Sequence, residues 1–260
     1  MAVRVKKKAT RPAAAKSQGP FYFYGVSLPG KDQVTKVGAI GIDNGGRVEG
    51  VPCAGLLCWV TRISGDFVSE IESRMEDLEW LAEASVLHQR AVSAIGAVTD
   101  VVPARFGTVF LNDASLAKHI ESRKKVIQSA FKRIAGAEEW GVKVFMTVPA
   151  KAQGAAFTAE SGQDYLRQKA KALAVQNSHR AAPDAETEKL AAELKRLSRA
   201  VSPTGKVSGA QPGLQWQASF LLPRTKRKQW DAVLKEFAQR WGDSKRIECT
   251  GPWPPYSFVE

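Results

Sequence analysis

Histidine and cysteine side chains offer the most direct routes to catalysis or metal binding, and in this sequence both are sparse. The three histidines, His88, His119 and His179, do not have the mutual spacing of metal ligands. His88 lies on the apolar stripe of a predicted helix, which favours a buried, hydrogen-bonded histidine over a general base. Cys53 and Cys58 have four residues between them and lack two further zinc ligands. These residues predict no catalytic site, no metal and no cofactor.

The common catalytic and phosphate-binding motifs are also missing from the sequence. It contains no Gly-x-Ser-x-Gly elbow, no Walker loop and no paired His–Glu motif. The glycine-rich stretch Gly38–Gly46 has neither the spacing of a phosphate-binding loop nor a predicted helix after it. Paired carboxylates occur only in one acidic segment, where a solvated helix face explains them. We therefore expect a protein that is not an enzyme.

The formal net charge of +12 over 260 residues is the unusual feature of the composition. Basic proteins often bind nucleic acid or anionic surfaces, provided that the charge is concentrated on one face. Here residues 1–20 carry six basic residues and no acid, residues 64–83 carry seven acids and one base, and residues 224–246 carry eight bases and three acids. Docking between oppositely charged parts of the chain, or between copies of it, explains this pattern as well as nucleic-acid binding does.

A nucleic-acid-binding protein that uses its basic leader and its basic C-terminal helix is the alternative function. The aromatic run Phe21–Tyr24 resembles the stacking platform of an RNA-binding sheet, but no basic residues interleave with it. A solvated charge pattern is therefore favoured over a specific nucleic-acid surface, and nucleic acid is not the expected partner.

Residues 1–18 form a basic leader that is rich in Ala, Lys and Pro. It lacks the apolar region of a secretory signal, so we interpret it as a solvated, disordered tail, with a mitochondrial-type presequence as the alternative. No run of about 18 apolar residues is present to span a bilayer. The three cysteines are an odd and sparse set that fits a reducing compartment. We expect a cytoplasmic protein without a membrane partner.

Hydrophobic periodicity predicts an N-terminal α+β domain over residues 19–136. Asn44-Gly45 between two strand-like runs predicts a hairpin with a type I′ turn, in which both central residues have positive φ. The other predicted elements are strand Phe21–Val26, strand Leu56–Ile63, helix Asp77–Val98, extended segment Val101–Phe110 and a helix from Asn112 or Asp113 to Gly136.

A second domain is predicted over residues 137–250. Its elements are strand Trp140–Val148, a long helical region from about Ser161 to Val201 that is broken at Pro183, strand Gln215–Leu222, helix Thr225–Gly242 and strand Lys245–Thr250. This order resembles a ferredoxin-like arrangement with an enlarged helical insertion. The predicted fold class is therefore α+β with two domains, a hairpin-rich N-terminal one and a modified ferredoxin-like C-terminal one.

Residues 251–260 form a C-terminal tail rich in proline and aromatic residues. Three prolines in four positions restrict the backbone and lower the entropy lost on docking, while Trp253, Tyr256 and Phe258 offer a large contact area. The tail is either a ligand for an external groove or an intramolecular clamp that joins the two halves of the chain.

With this tail the chain closely resembles the gas vesicle protein F/L family. The residues that carry the resemblance are Phe21–Gly25, His88, the run Val102–Phe110, Glu139–Lys143, Tyr165-Leu166 and Thr250–Phe258. It covers the chain from about residue 20 to the end and leaves the basic leader outside.

The resemblance implies a gas vesicle accessory protein without enzymatic activity. Such a protein would bind the small hydrophobic shell protein, prevent its aggregation and assist nucleation and assembly of the vesicle as a minor component. Its implied partners are the shell protein and other gas vesicle accessory proteins, and its implied location is the gas vesicle. The implied fold of two α+β domains, the second a modified ferredoxin fold, agrees with the elements above.

Two surfaces are candidates for partner binding. One combines Trp253, Tyr256 and Phe258 of the tail with Arg105 and Phe106, either as an apolar groove or as a lock between the domains. The other is the first strand, with Phe21, Tyr22, Phe23 and Tyr24, on the condition that it is a sheet edge able to accept a strand from the partner.

Overall fold

The computed structural model describes residues 19–30, 35–147, 183–203, 211 and 213–259. The predicted leader and most of the predicted long helical region lie outside these residues. The chain divides into two compact units. The first contains residues up to Gly25, Pro29–Ala91 and Ala104–Arg123, and the second contains Val26–Leu28, Val92–Pro103 and the chain from Lys124 onwards.

A six-stranded sheet organises the N-terminal half of the chain. Its strands are β1 (Phe21–Ser27), β2 (Lys36–Ile40), β3 (Arg47–Cys53), β4 (Leu56–Arg62), β5 (Val101–Pro103) and β6 (Val109–Phe110). Their order is β2-β3-β4-β1-β5, and β6 also pairs with β1. Both β1 and β4 are almost entirely buried, as expected of aromatic and β-branched residues in interior strands.

The hairpin that joins β2 to β3 is confirmed, but its predicted turn type is wrong. Of the two central residues only Asn44 has a positive φ, at 57°, and the Asp43 carboxylate accepts hydrogen bonds from the N–H groups of Gly45 and Gly46. The turn with two positive φ angles lies between β3 and β4, at Ala54 (48°) and Gly55 (81°). An aspartate side chain that bonds to backbone N–H groups thus replaces the type I′ turn at the Asn-Gly pair.

Three helices follow β4. They are α1 (Gly65–Ser73), which Ser64 caps, α2 (Leu78–Gly96), and α3 (Asp113–Ser122), which begins with a capping box of Asn112 and Ser115. The predicted helix to Gly136 is interrupted at Arg123, and its second part is a separate helix, α4 (Lys124–Ile134). The two compact units divide at this interruption, so α4 belongs to the second unit.

A four-stranded antiparallel sheet organises the second unit. Its strands are β7 (Ala137–Met146), β8 (Ala200–Ser202), β9 (Leu214–Pro223) and β10 (Lys245–Trp253), in the order β10-β7-β9-β8. Two helices, α5 (Ala185–Leu197) and α6 (Arg227–Trp241), pack on one face of the sheet. Their shared core includes Trp140, Phe220, Trp230, Leu190 and Leu194. The mixed α and β composition predicted from the sequence is confirmed.

Two segments differ from the prediction in detail. The extended segment Val101–Phe110 consists of two short strands, β5 and β6, with a loop between them. Val201 belongs to β8 rather than to the preceding helix, which ends at Leu197. None of the helices in the described part of the chain is long and apolar enough to cross a membrane.

Candidate functional site

His88 lies at the centre of a buried cluster in the first unit. Helix α2 places its imidazole 2.9 Å from the Tyr22 hydroxyl oxygen, measured to Nδ1. The same hydroxyl accepts a hydrogen bond of 3.0 Å from the N–H of Gly107. The hydroxyl proton is therefore available to Nδ1, and the imidazole also forms a hydrogen bond with the backbone of Ala104. The cluster thus joins β1, α2 and the loop that precedes β6.

Burial governs the protonation of His88. The residue is only 4% exposed, and desolvation lowers the pKa of its imidazole to about 4, against a smaller opposing effect of the hydrogen bond to Ala104. The imidazole is therefore neutral near pH 7. The interpretation of His88 as a buried, hydrogen-bonded core histidine is confirmed.

The aromatic side chains of β1 are committed to the interior. Phe21, Tyr22 and Tyr24 are completely buried, and Phe23 is 5% exposed. The Tyr24 hydroxyl accepts a hydrogen bond from the N–H of Ile42 and forms another with Thr61, while burial raises the pKa of Tyr24 to about 12. The condition that β1 is a sheet edge is wrong, because β4 pairs on one side of it and β5 and β6 on the other.

Arg105 and Phe106 lie in the loop between β5 and β6, within the first unit. The ring of Phe106 makes edge contacts with Tyr22, His88 and Trp80, at centroid distances of 5.7 to 6.5 Å. Phe106 is half-buried, whereas Arg105 is exposed. This loop therefore combines a packed aromatic ring with an exposed cation.

The C-terminal tail begins as a continuation of β10. Trp253 is in register with Glu139 of β7, after one extra residue that forms a bulge behind Thr250. At Gly251 the backbone of the tail lies very close to β7. Its φ is 140°, and an added Cβ would lie 2.8 Å from the Trp140 ring and 2.9 Å from the Glu139 carbonyl oxygen. The Gly251–Pro252 peptide bond is cis. The glycine of the Thr-Gly-Pro-Trp sequence is thus a packing requirement.

Beyond Trp253 the tail is fixed to the second unit. The Glu139 carboxylate accepts hydrogen bonds from the backbone N–H (3.0 Å) and the hydroxyl (2.6 Å) of Ser257. Arg133 donates to the carbonyl oxygen of Phe258 at 2.9 Å, and the Phe258 ring is buried. Tyr256 is half-buried, and burial raises the pKa of its hydroxyl. The tail therefore packs on its own fold, as an intramolecular contact.

A cleft of about 200 Å³ adjoins the tail within the second unit. One side consists of Pro252–Pro255, and the other sides come from the C-terminal end of α2, the segment Thr99–Val101 and the start of β7. Trp253 is 43% exposed at this cleft. The cleft thus offers an exposed indole beside proline and aliphatic side chains, a combination suited to apolar binding.

Charged groups at the cleft are paired with each other. The Arg224 guanidinium lies 3.0 Å from the Asp100 carboxylate and 3.1 Å from the Glu138 carboxylate. Asp100 also accepts a hydrogen bond from the N–H of Gly136. Because both carboxylates face one cation, they lack the arrangement of an acid–base pair.

Part of the basic run that begins α6 is also neutralised locally. Arg227 forms an ion pair with Asp231 at 2.8 Å, and its guanidinium stacks over the Trp140 ring at 3.6 Å. Arg224, which precedes the helix, and Arg227, which begins it, are therefore occupied by protein groups. In the described part of the chain, no three His, Cys, Asp or Glu side chains are grouped to hold a metal ion.

Comparison with known proteins relates these features to a family. The family model described as "Gas vesicle synthesis protein GvpL/GvpF" matches residues 20–260. The chain belongs to this family. The resemblance seen in the sequence is thus confirmed, and the match leaves the basic leader outside.

Individual relatives agree with this assignment. The chain is 34% identical over 251 residues to gas vesicle protein L of Streptomyces sp. (strain CB03234), with 92% of each chain covered. It is 26% identical to gas vesicle protein F2 of Halobacterium salinarum, with 74% of this chain and 75% of the relative covered. The crystal structure of GvpF from Anabaena sp. PCC7120 has the same fold, with a TM-score of 0.63 at 17% identity over 93% of this chain and 96% of that one.

Sequence reasoning missed several residues that build the cleft and hold the tail. Glu139 is a carboxylate in a strand, only 6% exposed, and Asp100 and Arg224 are far apart in sequence. Glu139 belongs to the segment Glu139–Lys143, which carries part of the family resemblance, and this was the one indication in the sequence that the residue matters. Asp100 and Arg224 carried no such signal, because two isolated charged residues that are far apart in sequence form no local pattern.

Proposed function

We propose that this member of the GvpL/GvpF family is a gas vesicle accessory protein that binds the hydrophobic shell protein, limits its aggregation and assists nucleation of the vesicle. The family match supports a role in gas vesicle synthesis. The exposed indole of Trp253 beside the cleft is the observation that carries the binding step. A shell subunit with a large apolar face would aggregate unless a partner covered that face.

The fixed tail suits this role because it presents its indole in one position. Ser257 and Phe258 hold the tail through Glu139 and Arg133, so little conformational entropy remains to be lost when a partner docks. We assign the contact to Trp253 and its neighbouring cleft, with Arg105 and Phe106 as a second contact. Residues Phe21–Tyr24 support the core instead, because their side chains are buried.

Co-expression with the shell protein tests this assignment. We expect Trp253→Ala to lower the amount of shell protein that remains soluble and co-purifies with the accessory protein by at least fivefold. Leu111→Ala is the matched control, since Leu111 is 66% exposed and lies in the first unit. Equal recovery of shell protein with both variants would contradict the proposal. Loss of the soluble accessory protein itself would assign Trp253 to the intramolecular clamp.

We further propose that residues 137–250 form a ferredoxin-like domain. Supporting this, β7, β8, β9 and β10 are antiparallel with β7 and β9 central, α5 precedes β8, and α6 joins β9 to β10. The compact unit is larger than this domain, since it also contains α4, Val26–Leu28 and Val92–Pro103. An experimental structure of the full chain would test both the strand order and this boundary.

A further inference from the structure

An exposed apolar surface surrounds the turn between α1 and α2, in the first unit. Leu78 is 80% exposed, the largest value for a bulky apolar residue in the described part of the chain, and Met75 and Val86 are 45% and 48% exposed. A single exposed leucine is unremarkable in a folded protein. These three residues, however, are interspersed with exposed glutamates between the end of α1 and the middle of α2. We call this exposed set the acidic helix face and define it as Glu72, Met75, Glu76, Leu78, Glu79, Glu83 and Val86.

The glutamates of the acidic helix face have no ion-pair partner in the described part of the chain. Arg74, the one basic residue between positions 64 and 83, is occupied by Glu70 and Asp77 at 3.1 Å each. No basic group among the described residues lies within ion-pair distance of the remaining glutamates, which are Glu72, Glu76, Glu79 and Glu83. On α2, Glu79, Glu83 and Val86 recur at spacings of four and three and so share one exposed side.

Helix α5 shows that this arrangement is not general in the molecule. There Glu186 pairs with Lys189 at 2.6 Å, and Glu193 pairs with Arg196 at 2.8 Å. Acids and bases alternate on α5, as is usual for a solvated helix. The acidic helix face instead combines exposed apolar side chains with carboxylates that have no cation partner among the described residues. It therefore complements a basic segment that carries small apolar residues.

The basic leader is such a segment, and its attachment point lies close by. Its six cations are Arg4, Lys6, Lys7, Lys8, Arg11 and Lys16, and it contains no acid. The carbonyl oxygen of Pro20 accepts a hydrogen bond from the N–H of Ile63, next to the Ser64 cap of α1. The leader therefore joins the first unit at the start of α1.

The distance to be covered is short compared with the length of the leader. Helix α1 has nine residues, about 14 Å at 1.5 Å per residue, and the acidic helix face begins at its other end. Eighteen extended residues span up to about 60 Å. A tether of this length gives an effective concentration on the order of millimolar, so a weak charge interaction suffices.

We infer that the basic leader docks in cis on the acidic helix face. Charge complementarity carries this inference, because the leader has six cations and no acid, while the four glutamates of the acidic helix face have no ion-pair partner among the described residues. This contact does not depend on shell-protein binding. It concerns a segment that lies outside the family match, so it is a property of this chain. The positive charge of the leader is then neutralised by carboxylates of the same chain.

Carbodiimide cross-linking of the full-length protein tests the contact, because this reagent joins only lysines and carboxylates that touch. We expect cross-links from Lys6–Lys8 to Glu76, Glu79 or Glu83 to be at least fivefold more abundant than those to Glu188, an exposed glutamate on α5. They should fall severalfold between about 50 mM and 500 mM NaCl, since exposed charges are screened at high salt. Mixing isotope-labelled and unlabelled protein distinguishes contacts within a chain from contacts between chains.

Charge reversal makes the test independent of folding. Lys6→Glu, Lys7→Glu and Lys8→Glu together should abolish the cross-links, and adding Glu76→Lys, Glu79→Lys and Glu83→Lys should restore them with reversed chemistry. Cross-links no more abundant than those to Glu188 would overturn the proposal. Cross-links found only between labelled and unlabelled chains would overturn docking in cis and assign the face to a second copy.

Discussion

The first strand and the C-terminal tail are both rich in aromatic residues, yet the structure uses them in opposite ways. In β1, the aromatic side chains of Phe21–Tyr24 are all buried. In the tail, Trp253 is 43% exposed although Phe258 is buried. The difference lies in the backbone. Strand β1 has an N–H at every position and pairs on both sides, whereas prolines at 252, 254 and 255 lack the donors that a ladder needs.

Truncation of a β1 aromatic should have the largest effect. We expect Tyr22→Ala to lower the free energy of unfolding by about 3–5 kcal/mol, because it leaves a cavity at a fully buried site and removes the hydroxyl that joins His88 to Gly107. Urea unfolding followed by circular dichroism measures the loss.

Tyr22→Phe is the matched control for this prediction. It keeps the ring and removes only the hydroxyl, so its cost should be about 1–3 kcal/mol. A Tyr22→Ala variant as stable as the wild type would mean that β1 is not the core of the first unit. The contrast with the tail would then disappear.

The His88 cluster should make the first unit sensitive to acid. The folded-state pKa of about 4 lies below the ordinary value of 6.5, so between these values the unfolded chain binds the proton that the folded chain excludes. Stability from the neutral imidazole is therefore complete above pH 6.5 and is lost as the pH falls towards 4. The shift corresponds to about 3 kcal/mol.

A pH series of urea unfolding from pH 7.5 to 4 measures this loss, with His88→Gln as the control. Glutamine can accept from Tyr22 and donate to Ala104 but does not titrate in this range. We expect the wild type to lose about 3 kcal/mol more than the variant. Parallel pH profiles would show that the imidazole is already protonated or exposed in the folded protein.

Gly251→Ala should release the tail at a moderate cost. The new Cβ would lie within 3 Å of both the Trp140 ring and a backbone carbonyl oxygen, at a φ that L-residues rarely adopt. We expect a loss of about 1–3 kcal/mol and faster amide hydrogen exchange at Ser257 and Phe258. Gly38→Ala, where an added Cβ meets nothing within 4 Å, is the control. Unchanged exchange at the tail would mean that Glu139 and Arg133 hold it without the bulge.

Local patterns in the sequence predicted most of the described elements, and the failures have physical reasons. Strand β1, helix α2 and helix α6 have the right periodicity and were found, because alternation and helical spacing are encoded in neighbouring residues. The break at Arg123 was missed, because the apolar spacing continues across it. The position of β1 inside its sheet depends on β5 and β6, which are distant in sequence, and no local pattern reports such pairing.

The candidate site was predictable only in its exposed part. Trp253 stood out from its proline-rich context, and the structure places it beside a cleft. Glu139 and Arg133, which fix the tail, could not be connected with it, because hydrogen bonds between residues more than a hundred positions apart leave no pattern in a single sequence.

Trp253→Ala should have the smallest effect on stability. Its indole is 43% exposed and donates one hydrogen bond, at 3.2 Å, to Thr250 on the same strand, so truncation removes limited buried area. We expect a loss below about 1 kcal/mol in urea unfolding, against 3–5 kcal/mol for Tyr22→Ala. A loss as large as that of Tyr22→Ala would make Trp253 a core residue. A small loss of stability together with a large loss of shell-protein recovery would distinguish the tail from β1. Removal of a residue that contacts a partner lowers binding strongly and stability only slightly, whereas removal of a core residue lowers stability strongly.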